Sequence, residues 1–161
     1  MKTESIFNFI RIGDRVGTGG QPTQEQFGAA RDEGYQAVVN LAPSNAENHA
    51  LADEDRVVGS LGMAYHHIPV EWASPTLEHF NAFVKTMESL KDKKVLVHCA
   101  ANFRVTMFYA LYATRNEGWS EQQADELIAR IWESRPDYRM DATWKSFLND
   151  VRRSIALKAR P

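Results

Sequence analysis

The chain has one cysteine, Cys99, in 161 residues. An intramolecular disulfide is therefore excluded, and so is a zinc site that needs two or more thiolates from this chain. No apolar run approaches the roughly 18 residues of a membrane-spanning helix. Charge of one sign is also scarce. Lys and Arg number 19 against 21 Asp and Glu, a formal net charge of −2. That balance argues against a general nucleic-acid binder and leaves room for one local basic pocket. The opening segment, MKTESIFNFIRIGDRV, lacks the apolar core of a secretion signal. A cytoplasmic location is therefore expected, with neither membrane nor nucleic acid as partner. Internal repeats, low-complexity tracts and linkers are missing too. What remains, 43% hydrophobic and 25% charged residues, is an ordinary globular composition. A chain this long buries a sizeable core without a staple, and residues 1–161 read as a single domain. Residues 119–161 are expected as C-terminal helices packed on it, and the sequence carries no signal for an oligomeric state.

Patterning gives alternating strands and helices. Ile10–Ile12 and Arg15–Gly17 read as a hairpin around Gly13-Asp14. Thr-Gly-Gly-Gln-Pro at 18–22 is a turn, and Thr23 with Gln26 is a capping-box signature for a helix ending near Glu33 before Gly34. Strands are predicted at residues 37–41, 64–69 and 95–97, and a helix from about Ala50 to Leu61. From Thr76 to Leu90, Leu77, Phe80, Phe83, Val84 and Met87 share one helical face. The helix from Arg104 to about Asn116 is apolar on nearly every side, which suits the middle of a core. Ser120 with Gln123 starts the next helix, and Asp141 caps a last one ending near Leu157. The expected fold class is α/β, a mostly parallel central sheet flanked by helices.

The chemistry concentrates in Val-Leu-Val-His-Cys-Ala-Ala-Asn-Phe-Arg-Val-Thr at 95–106. A buried strand ends in His98-Cys99, a short loop follows, and Arg104 opens a helix. The amides of Ala100, Ala101, Asn102, Phe103 and Arg104 can form an anion nest. The helix N-terminus adds partial positive charge at the same spot. Arg104 supplies a planar fork that matches two phosphate oxygens. The same field favours a thiolate on Cys99, whereas a free cysteine, with pKa about 8.5, is only about 3% ionised at pH 7. His98 suits a structural role, bonding the loop backbone. His66 and His67 alternate to opposite faces of a strand, which favours packing over a metal site.

These residues resemble the cysteine-dependent protein tyrosine phosphatase superfamily on its dual-specificity side. The likeness is closest to the small bacterial beta-lactamase-hydrolase-like phosphatases. Gly19-Gly20-Gln21-Pro22-Thr23, Tyr65-His66-His67-Ile68-Pro69-Val70 and Val95–Arg104 carry it, over about residues 9 to 118. The resemblance implies Cys99 as nucleophile, phosphate held by Arg104 and the loop amides, a phosphorylated substrate, and no metal or other cofactor. Four residues separate Cys99 from Arg104, as in the bacterial subgroup, rather than the superfamily's usual five. Asn102 stands where a glycine is common, and Asn tolerates the left-handed conformation. Val105 stands where a hydroxyl normally follows the Arg, with Thr106 one step further. Trp72 takes the place of the general-acid Asp, so Glu71 is the first substitute as proton donor and Glu78 the second. Glu47 and Asn48, after the third strand, are read mainly as exposed loop residues.

Three functions fit. The first is hydrolysis of phosphate monoesters through a phosphocysteine. The second is phosphate binding without turnover, motivated by Trp72 and Val105. The third is a rhodanese-like sulfurtransferase, whose loop also follows a buried strand and spans a similar distance from cysteine to arginine.

Overall fold

The computed structural model describes residues 2–43 and 50–158. The predicted polar loop at 44–48, with Glu47 and Asn48, lies outside the described residues. Strands β1 (Ile10–Ile12) and β2 (Val16–Gly19) form the antiparallel hairpin. Gly13 turns it with φ +64°, a conformation that favours glycine. Strands β3 (Ala37–Asn40), β4 (Ala64–His67) and β5 (Val95–His98) complete a five-stranded sheet in the order β1-β2-β5-β3-β4. Every pair except β1–β2 is parallel. The register aligns Gly19, His98, Asn40 and His67 in one row at the C-terminal ends of the parallel strands. Open α/β sheets bind ligands beyond such an edge.

Side-chain alternation divides the core between the two faces. Val38 and Leu96 pack with Phe27, Ala30 and Val58, from helices α1 (Gln24–Asp32) and α2 (Glu54–Ser60). Val39, Val95 and Val97 pack on the other face. There lie α3 (Leu77–Ser89), α4 (Phe103–Asn116), α5 (Glu121–Trp132) and α6 (Ala142–Lys158). By the same alternation His98 faces α1 and α2, while Cys99 faces α4. Helix α4 is buried from Arg104 through Ala113, as its all-round apolar sequence predicts.

The helix signals hold where capping chemistry sets them. Thr23 and Gln26 form the reciprocal capping box, and Ser120 and Gln123 form another. Asp141 Oδ1 accepts from the amide of Trp144 at the start of α6. Thr76 caps α3 with His79, whose ring nitrogen accepts from the Thr76 amide, a pairing outside the usual Glu/Gln pattern.

Strand β2 runs Val16–Gly19 rather than Arg15–Gly17, so Thr18 and Gly19, expected in a turn, pair with Val97 and His98 of β5 instead. Other expectations shift as well. Helix α2 begins at Glu54 rather than near Ala50, because Asp53 takes a left-handed conformation (φ 56°) that a right-handed helix cannot include. Strand β4 ends at His67 because its partner β3 ends at Asn40. Leu77 belongs to the first turn of α3 and is 42% exposed, so the apolar face starts at Phe80.

Candidate active site

The loop after β5 has its carbonyls turned outward, one after another. Cys99 O lies 3.2 Å from His98 Nδ1. Ala100 O accepts from the Gln21 amide and Ala101 O from Asn8 Nδ2, each at 3.0 Å. Asn102 O accepts from the amide and hydroxyl of Thr106, and Phe103 O accepts from Trp132 Nε1 at 2.9 Å. In a planar trans peptide the N–H points opposite to its C=O. Fixing these oxygens on partners around the loop therefore fixes the peptide planes that carry the following N–H groups, and an antiparallel bridge between Gly20 and Ala101 ties the loop to the end of β2.

Asn102 makes the bend. Its φ of 69° is left-handed, and its side-chain amide donates to Asn8 O at 2.8 Å and Thr18 Oγ1 at 3.1 Å. A glycine would permit the bend but would not tie it to β2 and the N-terminal segment. The crossing chain is close enough that a Cβ on Gly20 would lie 2.6 Å from Ala100 O. This contact shows how closely the end of β2 borders the loop.

Cys99 is buried, 1% exposed, with its amide donating to Gly19 O at 3.2 Å. Arg104 is 2% exposed, and its Nη1 donates to the Val70 carbonyl at 3.0 Å. The guanidinium carbon lies 5.9 Å from the Trp72 ring centroid, within cation–π range. The first turn of α4 contains no acidic residue, so nothing within it opposes the positive end of the helix. Thr106 does not spare its hydroxyl for the sulfur. Its one O–H is directed at two acceptors, Asn102 O at 2.8 Å and Phe103 O at 3.1 Å, bracing the first turn of α4.

Trp72 is half-buried against Phe103, Trp132 and Trp144. Its indole donates to Asp141 Oδ2 at 3.1 Å, and its carbonyl accepts from Trp144 Nε1 at 3.0 Å. The segment after β4 is thus pinned to α6. Glu71 is exposed on a turn in which the Ser74 amide donates to its carbonyl, and Glu78 is exposed at the start of α3. Among the described residues neither carboxylate makes a side-chain hydrogen bond.

Under the loop lies a polar cluster. His98 is fully buried, with Nε2 2.7 Å from Glu54 Oε2. Tyr65 OH donates to the same oxygen at 3.0 Å, and Gln21 Nε2 donates to Glu54 Oε1 at 2.8 Å. Asn40 Nδ2 donates to Tyr65 OH at 3.1 Å. Burial pushes the Glu54 carboxyl up, but the His98 hydrogen bond and charge, with Gln21 and Tyr65, outweigh it and leave Glu54 below the usual carboxylate range. Chiefly through burial, the Tyr65 phenol is pushed well up and stays a neutral donor. Glu54 is the neighbour of His98 that sequence reading missed, since the two lie 44 residues apart in the chain.

His67 Nε2 lies 2.6 Å from Ala42 O. Among the described residues no group of three or more His, Cys, Asp or Glu side chains is arranged to hold a metal ion. A cavity of about 680 Å³ borders the loop at Ala100, walled by Phe7, Gln21, Pro22, Thr23 and Leu51.

Residues 12–128 match the family model described as DSP-PTPase phosphatase fused to NAD+ kinase. The chain belongs to this DSP-PTPase family. That membership sets it with phosphatases rather than sulfurtransferases. Beta-lactamase hydrolase-like proteins of Xylella fastidiosa and Agrobacterium fabrum are similar to it, 31% and 28% identical over 104 residues, 63% of this chain. The chain spans only 24% of the length of these curated relatives. Among solved structures, a DUF442 protein from Shewanella putrefaciens superposes with a TM-score of 0.82 at 28% identity, covering 94% of this chain and 95% of its own. PTPMT1 in complex with PI(5)P matches with a TM-score of 0.75 at 21% identity, over 95% and 99% of the two chains. At that identity the likeness is one of fold: this α/β sheet with flanking helices is the architecture of DSP-PTPase phosphatases.

Proposed function

We propose that this chain hydrolyses phosphate monoesters through a phosphocysteine. The phosphate of the substrate sits on the inward amides of residues 100–104 and on the Arg104 guanidinium, which together offset its charge. The Cys99 thiolate attacks phosphorus in line. A P–S bond forms, the P–O bond to the leaving group breaks, and the leaving oxygen takes a proton, with Glu71 as the assigned donor. Water then attacks phosphorus and gives a proton to the Glu71 carboxylate, the P–S bond breaks, and inorganic phosphate, the Cys99 thiolate and protonated Glu71 are regenerated. No redox step is involved.

One observation carries this reading. Every carbonyl from Cys99 to Phe103 has a partner on the structure around it, which supports a loop that receives the anion on its free N–H groups together with the buried Arg104. Membership of the DSP-PTPase family supports a phosphorylated substrate. The test compares wild type with Cys99→Ser on p-nitrophenyl phosphate. Turnover in wild type that Cys99→Ser abolishes is expected; equal turnover in both overturns the nucleophile.

A second reading is phosphate binding without turnover. Two observations favour it: the Thr106 hydroxyl is engaged by backbone oxygens, and Trp72, standing where the family carries its acid, is packed among aromatic rings. Phosphate binding with no ester hydrolysed would decide for it. The described residues include no helix long and apolar enough to cross a membrane, and a cytoplasmic location remains part of the proposal.

A further inference from the structure

Phe7 is 59% exposed, yet the backbone around it is tied to the loop. Its carbonyl accepts from the Gly20 amide at 2.7 Å. The next residue, Asn8, exchanges bonds with the loop. Its Nδ2 donates to Ala101 O at 3.0 Å, and its carbonyl accepts from Asn102 Nδ2 at 2.8 Å. Asn8 is left-handed here, with φ 54°, a conformation that Asn tolerates. The ring lies so near the end of β2 that a Cβ on Gly20 would meet Phe7 Cδ2 at 3.0 Å. A single exposed apolar side chain needs no explanation. This one is a wall of the 680 Å³ cavity that reaches Ala100, shared with Pro22 and Leu51. Two polar side chains of that cavity are engaged elsewhere. Gln21 Nε2 donates to Glu54 Oε1 at 2.8 Å and to Pro22 O at 3.0 Å, and Thr23 Oγ1 accepts from the Gln26 amide at 3.1 Å. Among the described residues the walls hold no Lys, Arg or His, and their one carboxylate outside that network is Glu25.

We propose that this cavity takes the alcohol portion of the phosphate ester, and that this portion is an uncharged aromatic group rather than one bearing a second phosphate or a carboxylate. The inference rests on the reading of the loop after Cys99 as the seat of the phosphate. Ala100 belongs both to that loop and to the cavity wall, so the two are continuous. An ester group that enters the cavity buries apolar surface against Phe7, Pro22 and Leu51. A ring gains further from edge-on or offset packing on Phe7. The volume lies in the range of small-molecule sites and has room for two fused rings. An anionic group fares worse there. No cation of the described walls meets it, Glu25 repels it, and the loss of its water is not offset. Phe7 is thereby a specificity-determining residue: it acts on which ester binds, not on the chemistry at Cys99. Its backbone bonds place the ring before a ligand arrives, so little ordering opposes binding.

The experiment is a calorimetric titration of the full chain with 2-naphthylmethylphosphonate and with methylphosphonate, which share the anion and differ in the apolar group. Wild type is expected to bind the naphthyl compound roughly tenfold or more tightly than the methyl one. Phe7→Ser is expected to lower that ratio by about fivefold, and Phe7→Leu by less. Equal affinities in wild type, or a ratio that Phe7→Ser leaves unchanged, overturn the inference. (4-Carboxybenzyl)phosphonate is expected to bind wild type more weakly than benzylphosphonate, and the reverse order overturns the uncharged class. These wild-type comparisons decide the matter if Phe7→Ser does not fold. Turnover of 2-naphthyl phosphate is measured alongside. A wild type that shows the expected ratio but hydrolyses no ester keeps the subsite and overturns the phosphocysteine reading. A wild type that binds none of the phosphonates overturns the loop as an anion seat, and the inference with it.

Discussion

The Arg104 guanidinium donates to the carbonyl of Val70, 3.0 Å away. This bond joins the first turn of α4 to the segment that carries Glu71 and Trp72, and so ties the proposed anion-binding group to the stretch proposed to donate the proton. Arg104→Lys should keep the charge but lose the planar fork. We expect kcat/KM on p-nitrophenyl phosphate to fall by about a hundredfold or more, since charge-assisted bonds to such an anion contribute roughly 1.5–3 kcal/mol each. Competitive inhibition by inorganic phosphate should weaken in parallel. A variant with wild-type kinetics would remove Arg104 from the site.

Asn102 tests whether conformation or tethering matters more in the loop. Asn102→Gly keeps the left-handed bend and loses the bonds to Asn8 and Thr18. We expect it to cost about 1–2 kcal/mol in urea unfolding. Asn102→Ala loses the same bonds and adds about 1–2 kcal/mol of left-handed strain, so it should be the less stable of the two. The reverse order would show that the side-chain bonds contribute nothing.

Glu71→Gln separates proton donation from binding. Activity on an alkyl phosphate, whose leaving oxygen needs a proton, should fall by about tenfold to a hundredfold or more. Activity on p-nitrophenyl phosphate should change little. Equal losses on both substrates, or none on either, would exclude Glu71 as donor and turn attention to Glu78.

Alkaline stability follows from the tyrosines. Tyr65, Tyr109 and Tyr112 donate to Glu54, Glu117 and Glu88, at 3.0, 2.6 and 2.5 Å. Burial first, with the carboxylates adding to it, holds all three phenols well above their ordinary value. In the unfolded chain a phenol ionises near pH 10. Their stabilisation is therefore complete below about pH 10 and is lost as the pH rises toward the folded values. Tm should drop steeply between pH 10 and 11 in wild type, and less steeply in Tyr109→Phe. Identical slopes would discount the Tyr109–Glu117 pair.

Much of the fold was legible because its signals are local. The capping pairs Thr23/Gln26 and Ser120/Gln123 lie three residues apart, and each sets a helix start. The left-handed role of Asn102 follows from its side chain and its place at the loop's end. What stayed hidden depends on distant partners. Glu54 meets His98, and Trp72 meets Trp132 and Trp144, only after the sheet and the last helices assemble. The start of α2 was misread because the conformation of Asp53 has no counterpart in hydrophobic periodicity. The exposure of Leu77 has a plainer cause: the first turn of an amphipathic helix need not reach the core the later turns cover.

The loop's outward carbonyls are held by Asn8, Gln21 and Trp132, which come from an N-terminal segment, the turn after β2 and the end of α5. None of them is near the loop in the chain. The loop's shape is therefore set by tertiary closure, and on the proposed function an oxyanion meets a loop already formed. Catalytic competence should vanish together with global unfolding and not before it, because no local opening of the nest leaves these three anchors undisturbed.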